Sequence, residues 1–69
     1  MTVTLKGVAD PVEIDATIPV AIASYPDAED NPVMEHHIHF FVRYADAWAE
    51  ISLKTYNKLT AAGNPPTNI

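Results

Sequence analysis

The chain is expected to fold as a small α+β domain: an antiparallel meander of three to four strands with one C-terminal α-helix packed on one face. Three observations lead there. Alternation of apolar and polar residues recurs through the first two thirds of the sequence, a capped helical segment begins after Ser52, and Pro/Gly punctuation separates the segments. With 69 residues there is room for one domain, residues 1–69, which buries about 60% of the surface its unfolded chain exposes.

The strand pattern opens at Thr2 to Val8, where Thr2, Thr4 and Lys6 alternate with Val3 and Leu5. Ala9-Asp10-Pro11 then turns the chain. From Val12 the alternation is cleaner: Val12, Ile14, Ala16, Ile18, Val20 and Ile22 share one side, against Glu13, Asp15 and Thr17. Pro19 lacks a ladder donor, so it demands either an edge position or a break near Ile18. Tyr25 to Pro32 holds two prolines and three acids without apolar periodicity, which reads as a surface loop.

All three histidines lie in the next strand, roughly Val33 to Tyr44. Met34, His36, Ile38, Phe40, Val42 and Tyr44 form a mostly apolar side. Glu35, His37, His39, Phe41 and Arg43 form the other. Ala45-Asp46-Ala47 predicts a tight turn returning into Trp48 to Ile51, a hairpin. Ser52 is a good N-cap, Ile51 and Tyr56 stand at the positions of a hydrophobic staple, and Gly63 with Pro65-Pro66 supplies a stop. The predicted helix is therefore Leu53 to Ala62, with Leu53, Tyr56 and Leu59 toward the sheet and Lys54, Asn57, Lys58 and Thr60 toward water. A competing arrangement starts one long helix at Asp46, because Ala47, Ala49 and Glu50 are good helix formers. The tail, residues 64–69, is expected to fray. One helix of this length is too short to cover four strands, so apolar surface is expected to remain for a second copy or another protein.

Composition narrows the chemistry. No cysteine is present, which removes disulfides, thiolate metal sites and thiol nucleophiles. Net charge is −5, and all nine acidic residues fall between Asp10 and Glu50 with Arg43 as the one base among them. Such a field opposes direct binding to nucleic-acid phosphates and favours a basic protein partner. The N-terminus lacks a signal-peptide pattern and no stretch approaches a membrane span, so a complete small open reading frame in the cytoplasm is the expectation, with no membrane partner.

Two constellations stand out. Glu35, His37 and His39 repeat at every second position on one strand face, a spacing at which two imidazoles share a metal, with Glu13 or Asp15 as a further ligand if the strands pair in a meander. Other ligand spacings that would support zinc or another divalent ion are missing, so no cofactor is expected. Exposed or hydrogen-bonded histidines are the plainer account, with His36 buried against backbone. The second constellation is acidic and aromatic: Glu13, Asp15, Tyr25, Asp27, Glu29, Asp30, Phe41 and Arg43. Here Phe41 lies among polar neighbours and has the makings of an interface anchor. Ser24 and Ser52 lack a nucleophile elbow, and two glycines cannot build a phosphate-cradling loop. The expectation is a non-enzymatic acidic interaction module, forming a homodimer. It would act as an inhibitor or adaptor of the kind phages and mobile elements encode, its carboxylates occupying a basic, nucleic-acid-binding groove on a target. The alternatives are a metal- or pH-responsive small-ligand protein using Glu35, His37 and His39, and a structural subunit of a larger homo-oligomer.

Overall fold

A computed structural model describes the backbone of residues 1–26 and 36–68, and the side chains of 1–23 and 38–68. Its elements are β1 (Thr2–Val3), β2 (Val12–Glu13), β3 (Val20–Pro26), β4 (His36–Tyr44), β5 (Ala47–Ile51), α1 (Leu53–Ala61) and β6 (Pro66–Asn68). Strands β1 and β2 pair antiparallel as a separate ribbon. The main sheet has the order β5-β4-β3-β6, antiparallel except that β6 runs parallel to β3. The small α+β architecture with one C-terminal helix on the sheet is as expected. Strands β3, β4 and β5 form the expected antiparallel meander; β6 adds parallel to β3, which makes the sheet mixed, and β1 with β2 stands apart from it.

The long alternation from Val12 to Ile22 is broken earlier than Pro19 alone requires. The Asp15 carboxylate accepts from the backbone N–H and hydroxyl of Thr17, at 3.0 and 3.1 Å, and Ile18 N–H donates to the Asp15 carbonyl at 3.0 Å. This local turn competes with ladder pairing and ends β2 after two residues. Pro19 then stands immediately before β3, where its carbonyl accepts from Arg43 N–H at 3.0 Å and its missing donor costs nothing.

The hairpin from β4 to β5 excludes the long helix from Asp46. Tyr44 opposes Ala47, leaving a two-residue loop in which Ala45 (φ 51°) and Asp46 (φ 63°) are both left-handed, the conformation of a type I′ turn. Helix α1 begins as the sequence implies: Ser52 Oγ accepts from Thr55 N–H at 3.1 Å, and the staple pair Ile51 and Tyr56 is buried. Its end is a Schellman motif about Gly63 (φ 104°), with Gly63 N–H to Thr60 O and Asn64 N–H to Leu59 O, both 3.1 Å. Tyr56 and Leu59 face the sheet, but Leu53 is 53% exposed. At the first helical position it lies past the end of β5, beyond the strands it was expected to cover.

One core forms on the β4 face that carries Phe40 and Val42. Val20, Val42, Ile51, Tyr56 and Leu59 meet there, Phe40 and Tyr56 stack with centroids 4.9 Å apart, and Ile22 and Ala49 pack partly against them. Val3, Leu5 and Ile14 belong to the same cluster. The β1–β2 ribbon therefore covers a part of this face that the short helix leaves open, while Ile38, Tyr44 and Leu53 remain exposed.

The tail is tied down rather than frayed. Asn64, 2% exposed, donates through Nδ2 to the carbonyls of Asp15 and Ile18, both at 2.8 Å, and β6 then adds to β3. Its Oδ1 is buried without a hydrogen-bond partner among the described residues. The cost of that oxygen is set against the two bonds that Nδ2 makes, one to the Ile18 carbonyl and one to the Asp15 carbonyl that also accepts from Ile18 N–H.

Two outcomes follow. Replacing Ala45-Asp46 with Asn-Gly relieves two left-handed residues and should stabilise the fold by about 1 kcal/mol, raising Tm by roughly 4–8 °C in a thermal melt. Asn64→Ala removes both carbonyl partners and should cost about 1–3 kcal/mol by denaturant titration, with faster amide exchange at Thr67 and Asn68.

Candidate functional site

Among the described residues the opposite face of the sheet carries no helix, and side-chain alternation assigns it His39, Phe41 and Arg43 from β4, Ala21 and Ala23 from β3, Trp48 and Glu50 from β5 and Thr67 from β6. Ala21 is fully buried and stands in register between Phe41 and Thr67, both larger side chains. The two alanines make the floor of a shallow trough, with Phe41 and Trp48 half-buried along one wall.

Arg43 and Trp48 are directly opposed in the β4–β5 ladder, and the guanidinium carbon sits 5.4 Å from the Trp48 ring centroid. That is within cation–π range, so the pair presents a flat, amphipathic surface held by a cross-strand contact. At the other end of β5, Glu50 Oε2 accepts from His39 Nδ1 at 2.8 Å and lies 3.4 Å from Lys6 Nζ. A carboxylate only accepts, so Nδ1 carries the hydrogen. Lys6 is held in place by its backbone N–H, which donates to Glu50 O at 2.9 Å. The hydrogen bond from His39 is the main cause that holds the Glu50 carboxyl below its ordinary value, with Lys6 adding to it and partial desolvation opposing.

The expected site residues separate into three groups. Phe41 and Arg43 lie on the trough face as anticipated. Glu13 and Asp15 do not join them. Glu13 takes the Met1 ammonium at 2.8 Å and the Thr2 hydroxyl at 2.7 Å, and Asp15 is committed to its Thr17 turn. Both carboxyls are held low by these bonds, the ammonium first for Glu13 and the Thr17 backbone first for Asp15. Since β2 pairs with β1 and is no neighbour of β4, neither acid reaches the histidine strand, which overturns their part in a shared metal site. Tyr25 and His37 oppose one another in the β3–β4 ladder, and their side chains lie outside the described residues. Asp27, Glu29, Asp30 and Glu35 lie outside them altogether.

His39, the remaining described member of the histidine set, is engaged by Glu50. Among the described residues there is no enclosed pocket and no cluster of three or more His, Asp or Glu side chains placed to hold a metal. Sequence reasoning missed Glu50, Lys6 and the Arg43–Trp48 stack. Each depends on register between segments, and the one local hint was the short Ala45-Asp46 turn, which fixes Arg43 opposite Trp48. Comparison of the chain with protein-family models, with curated proteins and with solved structures returns no match.

Three carboxyls with lowered values make acid sensitivity predictable in sign. Groups depressed when folded contribute stability that is present above their unfolded values, near 4.5 for Glu13 and Glu50 and 3.8 for Asp15, and that is lost as pH falls through the lower folded values. Tm should therefore hold steady above about pH 5 and fall below about pH 4, and Glu50→Gln should make that fall shallower. A Tm independent of pH down to about 2.5 would contradict the assignment.

Proposed function

We propose that the chain is a non-enzymatic interaction module that presents the face of its four-stranded sheet opposite α1 to another protein. The observation that carries this reading is the Arg43–Trp48 stack beside half-buried Phe41, over a floor of Ala21 and Ala23. Aromatic residues and arginine are the side chains enriched at the energetic centres of protein interfaces, where a rim of charge excludes water around them. Lys6, His39 and Glu50 form one side of such a rim.

Charge supports a partner with a basic surface. The chain carries −5 overall, with its acids confined to the stretch between Asp10 and Glu50. A target that normally holds phosphates offers the complementary field, and an acidic module seated there would compete with nucleic acid for the groove. This is the action of an inhibitor or adaptor. Of the acids in the described residues, Asp10 and Asp46 are exposed, while Glu13, Asp15 and Glu50 already have partners, so long-range steering rather than direct pairing is the role that fits the latter three.

Affinity capture from the source organism with wild-type protein and with a Phe41→Ser, Trp48→Ala double variant tests the reading. The wild type should retain one basic protein, with retention falling steeply as salt rises, and the double variant should lose it by about 2 kcal/mol or more while keeping its far-UV spectrum. Equal retention by both forms would overturn it.

A further inference from the structure

We infer that the outer edge of β4 over His36 to His39 is the pairing site for a second copy of this chain, so that two main sheets join into one across a two-fold axis. In the β4–β3 ladder, Arg43 N–H points to β3, where it meets Pro19 O at 3.0 Å, while Phe40, Val42 and Tyr44 oppose Ile51, Ala49 and Ala47 of β5. Successive residues of a strand direct their N–H and C=O groups to opposite sides. The backbone groups of His36 and Ile38 therefore point into the lane of β5. That lane ends at Ile51, because Ser52 caps α1 and takes the chain off the ladder. No described residue bonds these groups.

The other edges of the sheet are guarded. The outer strand β6 is three residues long and starts at Pro66; β3 beyond it ends at Pro26, which has no donor; and the outer side of β5 is engaged by Lys6 N–H on Glu50 O. Short strands, proline and lysine are the usual means of blocking unwanted edge pairing. His36 to His39 has none of them, and no charged Asp, Glu, Lys or Arg either. On the helix side of the same stretch Ile38 is 60% exposed, and Leu53, at the adjoining start of α1, is 53% exposed.

A second copy fits this edge by its own symmetry. Antiparallel pairing with the two-fold axis at position 37 sets Ile38 opposite His36 of the second copy and His36 opposite Ile38 of the second copy. Every outward N–H and C=O of the stretch is then paired, with none left over. The two Ile38 side chains become diagonal neighbours on one face and extend the apolar strip that Leu53 begins. The stretch contains no Asp, Glu, Lys or Arg to oppose its own copy across the axis, although each chain carries −5. This inference uses a different surface from the trough of Phe41 and Trp48, so either can fail without the other.

Sedimentation equilibrium of the full chain should show a dimer of 7.6 kDa subunits. Ile38→Lys should raise the dimer dissociation constant by at least about tenfold with Tm of the monomer unchanged. Because the native chain has no cysteine, His37→Cys supplies a single thiol at the axis, which should form a disulfide-linked dimer under mild oxidation, while Ala61→Cys on exposed helix should not. If Ile38→Lys fails to fold, the cross-linking pair decides the matter. A monomeric wild type, or a dimer that survives Ile38→Lys and does not cross-link at position 37, overturns the inference.

Discussion

The antiparallel ladder between β3 and β4 is the contact on which everything else rests. It runs through seven residue pairs from Val20↔Val42 to Pro26↔His36, and its register decides which side chains face the core. A shift by one residue would move Val42 and Phe40 to the open face and bring His39, Phe41 and Arg43 inside. That alternative is heavily penalised by burying a guanidinium, so the hydrophobic pattern of β4 holds the register firmly. Strand β5, helix α1 and β6 then take their places against a frame already set.

A domain of this size has little core to spare, and the fold shows how the shortage is met. The nine-residue helix supplies two buried side chains, Tyr56 and Leu59. The remaining cover comes from the N-terminal ribbon through Val3, Leu5 and Ile14, held by the Met1 ammonium on Glu13 and by Ile14 N–H on Met1 O. The chain end is recruited as well, through the Asn64 amide clamped on the loop before β3. Distant segments thus stabilise one another in place of the disulfides that other small domains use.

The two faces of the main sheet differ in composition and cover. One is covered by α1 and the β1–β2 ribbon over its centre, with Ile38 and Tyr44 left exposed at the two ends of β4. The other keeps small residues on β3 and large ones on β4 and β5, and its Arg43 and Trp48 side chains are held by a cross-strand contact. Such residues lose little conformational freedom on binding, because the sheet has already ordered them. This is the physical content of the proposed role in protein recognition, in which the strand side chains make the contact and the surrounding acids contribute the field.

Much of this was legible in the chain before folding. The period-two pattern of β4 assigned its faces, Pro19 marked a break, Ser52 and Gly63 bounded the helix to within one residue, and Ala45-Asp46 marked a hairpin, because each of these is a local steric or hydrogen-bonding rule. Phe41 and Arg43 were recognisable as outward-facing from alternation alone. What depended on tertiary structure was pairing over long separations: β6 lying parallel to β3, the N-terminal ribbon closing the core, Glu50 reaching His39 and Lys6, and Glu13 and Asp15 being drawn into local bonds away from the histidines. The sequence by itself determined which residues of a strand share a face, since that follows from backbone geometry two residues at a time; how far each face is covered, as at Ile38 and Leu53, and which outward side chains meet were decided by strand register and chain crossing, which no local pattern encodes.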